Sequence, residues 1–203
     1  MQDRTKKTSF HEKELNLKAP GFELCSTTFD DVVILQRSQY NDNRGAFGKL
    51  YSEAVFKQLG ININMFKETI YSISAKDVIR GMHYQEKPYG CSKLISVVKG
   101  SILDVLVNIK DHNSKEFGSA YSCILSSKNH KSLFVPNGYA HGFKSLEEGT
   151  IVVYNQSENY SQDHDRGIAY DSFGFDWELK NPILSVKDRN LEPLKLKREN
   201  ESS

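Results

Sequence analysis

Short stretches rich in apolar and β-branched residues recur along most of this chain. From Val32 onward they give the segments VVIL, MFKETIYSIS, DVIRGMHYQ, KLISVVKG, SILDVLVNI, AYSCILS, SLFVPNG, HGFKSL and TIVVYNQ. Turn residues separate them, as at Asn43-Arg44-Gly45, Lys99-Gly100, Asn137-Gly138 and Glu148-Gly149. Short strands at this spacing are typical of a sandwich or barrel, so the pattern predicts an all-β fold, best described as an antiparallel jelly roll.

One segment departs from the strand pattern and indicates a helix. Residues 52–59 indicate a short helix with Ser52 as its N-cap, so we expect one or two short peripheral helices around the barrel. At 203 residues the chain is long enough for one well-cored domain, which we place at residues 21–194. A polar and frayed N-terminal arm, 1–20, and a charged C-terminal tail, 195–203, are expected to flank it.

The charge balance and the cysteine spacing narrow the classes of partner that the protein binds and the cell compartment in which it works. The 27 Lys and Arg residues nearly balance the 26 Asp and Glu residues, so no global field favours nucleic acid. No apolar run approaches the length of a membrane helix, and no secretion signal is present, so no membrane partner is expected. Cys25, Cys91 and Cys123 form no CxxC pair, which is typical of reduced thiols and a cytoplasmic protein.

The densest cluster of candidate chemistry is the segment RGMHYQ. In a strand, alternate side chains share a face, which predicts Arg80, Met82 and Tyr84 on one side. His83 and Gln85 then point to the other side. His83 is a candidate general base because an imidazole titrates near neutral pH, although a lone strand histidine is more often a satisfied surface residue.

Two further residues complete a possible proton-transfer set. A turn at residues 88–90 would let the next strand return Lys93 close to His83. In TIVVYNQ, alternation places Tyr154 on the face of Val152. A tyrosine there is either a core residue with a satisfied hydroxyl or a phenolic acid able to protonate a carbanion.

The remaining histidine motif bears on metal binding. Pro136-Asn137-Gly138 is a turn that delivers His141 to the start of a strand. Metal-binding jelly rolls combine such a histidine with an HxH pair, but here Gln85 replaces the second imidazole of that pair. The usual three protein ligands of a catalytic metal are therefore not met, and we expect no metal and no organic cofactor. Lys187-Asp188 is an ordinary surface pair unless Asp188 reaches a histidine.

Taken together, these motifs resemble the dTDP-4-dehydrorhamnose 3,5-epimerase family over a span from about Phe29 to Leu194. The resemblance is carried by RGxHxQ (80–85), Ser92-Lys93-Leu94, DVxVxI (104–109), PxGxAHGF (136–143) and LSxKD (184–188). It implies a cupin-type jelly-roll barrel, usually a homodimer. It also implies an epimerase that inverts C3, C5 or both in a nucleotide-diphosphate-linked 4-keto-6-deoxy sugar for polysaccharide biosynthesis.

Carried over by position, the resemblance also implies roles for individual residues. The general base falls on His83, its carboxylate partner on Asp188, the enolate-stabilising cation on Lys93 and the proton donor on Tyr154. Substrate contacts fall on Arg44, Lys49, Glu68, Arg80, Gln85, His141, Asp165 and Lys187.

The chain also departs from the family pattern on the nucleotide side. Lys49 stands where the family usually has glutamate, and Glu68-Thr69-Ile70 replaces a QxN stretch. The resemblance therefore implies the sugar chemistry more strongly than the nucleotide, which is left open among dTDP, CDP, UDP and GDP. Rival hypotheses are a nucleotide-sugar 3,4-ketoisomerase, an epimerase acting at one carbon, a non-catalytic sugar-binding jelly roll and a metal-dependent cupin oxygenase.

Overall fold

The computed structural model describes residues 14–58, 61 and 66–195, and two facing antiparallel β-sheets account for most of its regular structure. In spatial order, the seven-stranded sheet contains β1 (Glu14–Ala19), β2 (Phe22–Ser26), β3 (Val33–Arg37), β11 (Lys131–Val135), β8 (Lys93–Lys99), β13 (Thr150–Gln156) and β6 (Glu68–Ser74). The five-stranded sheet contains β10 (Ala120–Ser126), β9 (Ser101–Asn108), β12 (Tyr139–Ser145), β7 (Ile79–Gln85) and β14 (Asp165–Gly167).

The smaller elements lie outside these sheets. A separate hairpin is formed by β4 (Gln39–Asp42) and β5 (Gly45–Gly48). The helices of the described residues are α1 (Glu53–Gln58), α2 (Val186–Arg189) and a 3₁₀ turn (Gln162–His164). The expectation of an all-β fold with one or two short helices is confirmed. No helix in the described ranges is long and apolar enough to cross a membrane.

The structure corrects the expectation for the N-terminal end of the chain. The polar arm was expected to be frayed over residues 1–20, but Glu14–Ala19 form β1, which pairs with β2. The expectation is therefore wrong for these six residues. Residues 1–13, and residues 196–203 of the expected tail, lie outside the described part of the chain.

Alternation along the strands divides the apolar residues among three clusters. Inward-facing residues such as Ile95, Leu106 and Val152 fill the space between the sheets. Their neighbours, among them Leu94, face outward beneath α1. Because successive strand side chains point to opposite faces, a polar residue beside an outward apolar residue is directed into the barrel.

A third cluster attaches the C-terminal segment to the outside of the five-stranded sheet. Val105, Val107 and Met82 of the sheet pack with Phe173 and Trp177 of that segment. This packing fixes the path of the chain over residues 168–194. It also determines where the short helix α2 meets β7.

A β-bulge in β7 changes the predicted alternation. Opposite β12, His83 pairs with His141 and Arg80 pairs with Phe143, so β7 has one extra residue between these two pairs. A bulge of this kind shifts the side-chain period by one. Arg80 therefore lines the same cavity as His83, whereas Met82 packs in the outer cluster, and the expected placement of Arg80 on the face of Met82 is wrong.

Two glycines allow β7 and β12 to approach closely at this bulge. A Cβ atom on Gly81 would lie 2.6 Å from the Cα atom of Gly142, and one on Gly142 would lie 2.6 Å from the sulfur of Met82. Gly81 also has a φ of 115°, a value that side-chain-bearing residues rarely adopt. The Gly of RGxHxQ and the second Gly of PxGxAHGF are thus required by the same contact.

Candidate active site

A cavity of about 410 Å³ is lined by side chains from both sheets and from α2. The seven-stranded sheet contributes residues of β6, β8 and β13, and the five-stranded sheet contributes residues of β7, β12 and β14. Nine of the twelve residues expected from the sequence line it: His83, Lys93, Tyr154, Asp188, Arg80, Gln85, His141, Asp165 and Lys187.

His83 and Asp188 form a hydrogen-bonded pair at this cavity. The Nε2 atom of His83 lies 2.6 Å from Oδ1 of Asp188, whose side chain is only 4% exposed. A carboxylate only accepts hydrogen bonds, so Nε2 carries the hydrogen and Nδ1 keeps its lone pair. Burial raises the pKa of Asp188, but the hydrogen bonds from His83 and Ser185 together outweigh burial, so the net effect is a lowered pKa. The geometry is that of a histidine base oriented by a carboxylate.

The position of Asp188 depends on the start of α2. The side chain of Ser185 caps the helix by accepting a hydrogen bond from the backbone N–H of Asp188 at 3.0 Å. Just before it, the backbone N–H of Ile79 donates to the carbonyl of Ile183 at 3.0 Å. These bonds tie the segment to the beginning of β7, which brings Asp188 within reach of His83.

Lys93 enters the cavity from the facing sheet. Its Nζ atom donates to the backbone carbonyl of His83 at 3.4 Å, so the turn at residues 88–90 does return the cation to the histidine. Burial lowers the pKa of the Lys93 ammonium below its ordinary value, although the charges of Cys91, Asp165 and Asp104 oppose this. The ammonium group is positioned to stabilise a negative charge inside the barrel.

Tyr154 also points inward from the seven-stranded sheet. Its register partner on β8 is Ile95, which faces the space between the sheets. It packs against the main core cluster, and its hydroxyl lies 3.2 Å from the Oγ atom of Ser72. Burial raises the pKa of the Tyr154 phenol well above its ordinary value, although the bond to Ser72 opposes this. The phenol is therefore neutral and carries a proton at all ordinary working pH values.

A second histidine–carboxylate pair lies deeper in the barrel. The Nε2 atom of His141 is 2.9 Å from Oδ2 of Asp104, and the two side chains are 5% and 0% exposed. The other oxygen of Asp104 has no hydrogen-bond partner among the described residues. Sequence analysis did not identify Asp104 as a site residue. The available signal was an acidic residue inside the apolar strand SILDVLVNI, in register with inward-facing Leu106.

The cavity rim contains charged and aromatic groups. Lys187 forms an ion pair with Asp165, and the hydroxyl of Tyr160 donates to the same carboxylate at 3.0 Å. The side-chain amide of Gln85 donates to the carbonyls of Tyr89 and Asn159. Tyr160 lines the cavity and is 62% exposed, and it was also absent from the residues expected from the sequence.

Three expected substrate contacts are not brought to the cavity. The side chain of Arg44 is 85% exposed and forms an ion pair with Asp42 at 2.5 Å in the hairpin. Lys49 is also exposed. Glu68 begins β6 opposite Gln156 and does not line the cavity either. Within one copy of the chain, the assignment of these three residues to the cavity is not supported.

The donor groups of the cavity occur as separate pairs. Among residues 14–58, 61 and 66–195, no group of three or more His, Cys, Asp and Glu side chains is arranged to hold a metal ion. His83 and His141 each face a single carboxylate.

Comparison with known proteins identifies the family of this chain. A family model described as dTDP-4-dehydrorhamnose 3,5-epimerase matches residues 26–196. The chain belongs to the dTDP-4-dehydrorhamnose 3,5-epimerase family. A family member from Methanothermobacter thermautotrophicus is 37% identical over 180 residues, which cover 86% of this chain and 95% of the relative.

Solved structures of the same family share the fold. The enzyme from Bacillus anthracis, crystallised with TDP and PPi bound, is 39% identical with a TM-score of 0.81, and the match covers 85% of this chain and 99% of that one. The enzyme from Legionella pneumophila, in complex with dTDP-4-keto-L-rhamnose, is 31% identical with a TM-score of 0.79, over 85% and 92% of the two chains. The protein described here is therefore an epimerase of the cupin type, as its sequence motifs implied.

Proposed function

We propose that this protein inverts C3 and C5 of a dTDP-linked 4-keto-6-deoxy sugar by proton transfer through an enolate. The observation that carries the proposal is the placement of His83 and Tyr154. Both line one cavity, but His83 belongs to the five-stranded sheet and Tyr154 to the seven-stranded sheet that faces it. A base and an acid on opposite walls can act on opposite faces of one sugar carbon.

In the first step, Nδ1 of His83 takes the proton from the carbon next to the ketone. The electron pair of the broken C–H bond delocalises onto the ketone oxygen and gives an enolate. Asp188, bonded to Nε2, holds the ring and stabilises the imidazolium that forms. The proposal is supported by the short His83–Asp188 contact and by the burial of the carboxylate.

Lys93 then stabilises the negative charge on the enolate oxygen. A preorganised cation in a partly dry site lowers the barrier because charge develops where the cation already lies; removing such a group typically costs about 3 kcal/mol. The contact between Lys93 and the backbone of His83 supports a position beside the reacting carbon.

Tyr154 completes the inversion from the other wall. Its O–H bond breaks as a C–H bond forms on the face opposite His83, and the electron pair returns from the enolate to carbon. The products are the inverted sugar, a phenolate and an imidazolium, which regain their resting states by proton exchange with water. No step requires an electron carrier.

The rim and the deeper pair are proposed to bind the substrate. Arg80 and Lys187 supply hydrogen-bond donors toward a sugar diphosphate, and arginine suits the geometry of phosphate oxygens. His141, whose Nε2 atom faces Asp104, is proposed as a further polar contact. Gln85 and Asp165 are proposed as polar contacts to the same ligand. The TDP of the Bacillus anthracis structure supports a thymidine nucleotide.

We also propose a homodimer. The edge strand β6 exposes Tyr71 (70%) and Ile73 (58%), and the hairpin exposes Phe47 (69%). Large exposed apolar groups of this kind mark association surfaces. In a dimer, the hairpin of one copy could supply Arg44 and Lys49 to the other copy's cavity, with Glu68 near the contact. A measured mass of one chain in solution would contradict this.

We also propose that the protein is cytoplasmic. Cys25, Cys91 and Cys123 form no CxxC pair in the sequence, a spacing that is typical of reduced thiols.

The proposed function is tested with a panel of 4-keto-6-deoxy sugars linked to thymidine, cytidine, uridine and guanosine diphosphates. Proton NMR of the products should show inversion at C3 and C5 for the thymidine form. Inversion at one carbon would indicate a single-site epimerase, and transfer of the ketone to C3 would indicate a ketoisomerase. Tight binding with no change in the sugar would favour a non-catalytic module.

A further inference from the structure

Ser72 lies beside the buried phenol of Tyr154 and lines the same cavity. It lies on the edge strand β6, opposite Val152 of β13, and its Oγ atom is 3.2 Å from the hydroxyl of Tyr154. Its register partner Val152 belongs to the core between the sheets, whereas its neighbour Ile73 is 58% exposed. Ser72 therefore faces inward and lines the cavity while remaining partly accessible.

Among the described residues, Ser72 is the hydrogen-bond partner of this phenol. The other cavity ring near Tyr154 is that of His141, with ring centroids 6.3 Å apart, and it makes its hydrogen bond to Asp104 instead. A phenol that has given up its proton in this apolar setting needs a donor, because an unpartnered charge is costly to bury. A serine hydroxyl can serve both states, since it accepts from the phenol and donates to the phenolate.

We propose that Ser72 positions Tyr154 for proton transfer, holds the resulting phenolate by a hydrogen bond and returns a proton to it from water. This role rests on the proposed function of Tyr154 as the acid. Ser72 is a positioning residue, because it acts through Tyr154 and not on the sugar.

Every proton in this step is accounted for without another reactant. After Tyr154 protonates the carbanion, the O–H bond of Ser72 breaks and a new O–H bond forms on the phenolate. Ser72 takes a proton from cavity water, and the hydroxide equivalent is neutralised by the proton released from the His83 imidazolium. The net reaction is isomerisation of the sugar with solvent exchange.

The chain offers a matched control for a purely structural role. Thr69 lies on the same strand, and its Oγ1 accepts from the side-chain amide of Asn155 at 2.8 Å. This bond also joins β6 to β13, but neither residue lines the cavity. Thr69→Val removes a comparable bond between the same strands without touching Tyr154.

The test compares Ser72→Ala, Ser72→Thr and Thr69→Val in D2O with the dTDP-linked substrate, measuring deuterium washed into the substrate and inverted product formed. Loss of one hydrogen bond to a charged group should slow inversion about 10- to 100-fold in Ser72→Ala. Deuterium should still enter the substrate, because His83 is intact. Ser72→Thr should restore inversion to within about 3-fold, and Thr69→Val should leave the ratio of exchange to inversion unchanged.

Three results would overturn the role of Ser72 while the wild type remains active. They are an unchanged inversion rate in Ser72→Ala, an equal loss of exchange and inversion, or the same changed ratio in Thr69→Val. If Ser72→Ala does not fold, Ser72→Cys, which keeps the volume with a weaker donor, should show an intermediate ratio; a wild-type ratio would contradict the proposal. A wild type with neither exchange nor inversion would instead reject the proposed function, and the role of Ser72 with it.

Discussion

The Nε2 atom of His83 lies 2.6 Å from Oδ1 of Asp188, although the two residues are 105 positions apart in the chain. The contact joins β7 to a helix of four residues, Val186–Arg189, which is far too short to be stable alone. Packing of the preceding segment on the outer face of the five-stranded sheet places this helix. The geometry of the His83–Asp188 pair is therefore a product of the outer cluster around Met82 and Trp177.

Asp188→Asn should lower kcat by about 1000-fold with little change in KM. The amide keeps the volume but can present a donor to Nε2, which favours the wrong tautomer of His83. Val186→Ala is the control, because Val186 lies in the same helix and is 80% exposed. Steady-state kinetics of both variants checks this, and an Asp188→Asn enzyme with a wild-type kcat would remove Asp188 from the mechanism.

His83→Ala and Tyr154→Phe should fail in different ways. Without the base, no substrate proton is removed, so exchange and inversion should both stop. Without the phenol, the base still works, and exchange should continue while inversion falls by about 100- to 10 000-fold, the usual range for a lost general acid. Mass spectrometry in D2O separates the two. Equal residual exchange in both variants would contradict the assigned roles.

The alkaline limb of the pH profile should belong to Lys93. The charged ammonium is the active form, and burial lowers its pKa below the ordinary 10.5. As pH rises through this lowered pKa the charge is lost, so kcat/KM should fall at a pH below 10.5. Tyr154 cannot cause this fall, because its pKa is raised.

Lys93→Met provides the corresponding check by kinetics across pH. The variant keeps a chain of similar length without the charge, so activity should fall about 100- to 1000-fold and the alkaline limb should disappear. The assignment of Lys93 fails if the limb persists unchanged in the variant.

The sequence predicted most of the fold, because alternation is a local property. Each of the apolar segments overlaps a strand of the structure, and Ser52–Leu59 overlaps α1. Strands β1, β2, β4, β5 and β14 were not predicted; the last three have only three or four residues and little apolar character. Their formation depends on partners that local periodicity does not report.

The site was predicted as a set of residues rather than as a geometry. Resemblance gave His83, Lys93, Tyr154 and Asp188, and the cavity contains all four. Alternation alone misplaced Arg80, because the bulge arises from the close contact of β7 with β12. The pairing of Asp104 with His141 depends on the register of β9 against β12, which the sequence does not specify.

Asp104→Ala should destabilise the fold by about 3 kcal/mol, because it leaves the buried His141 ring without its partner. Ser101→Ala is the control on the same strand, since the bond of Ser101 to Glu147 is exposed and should cost at most about 0.5 kcal/mol. Urea unfolding of the two variants measures the difference. Equal midpoints would show that the deeper pair contributes nothing to stability.

The central claim is that His83 removes a proton from carbon beside the ketone, and isotope incorporation tests it most directly. The wild-type protein is incubated in D2O with the dTDP-linked 4-keto-6-deoxy sugar, and deuterium is located by NMR. We predict one deuterium at C3 and one at C5 of the product, and none when His83→Ala is used. Inverted product without deuterium at these carbons, or undiminished incorporation in His83→Ala, would contradict the mechanism.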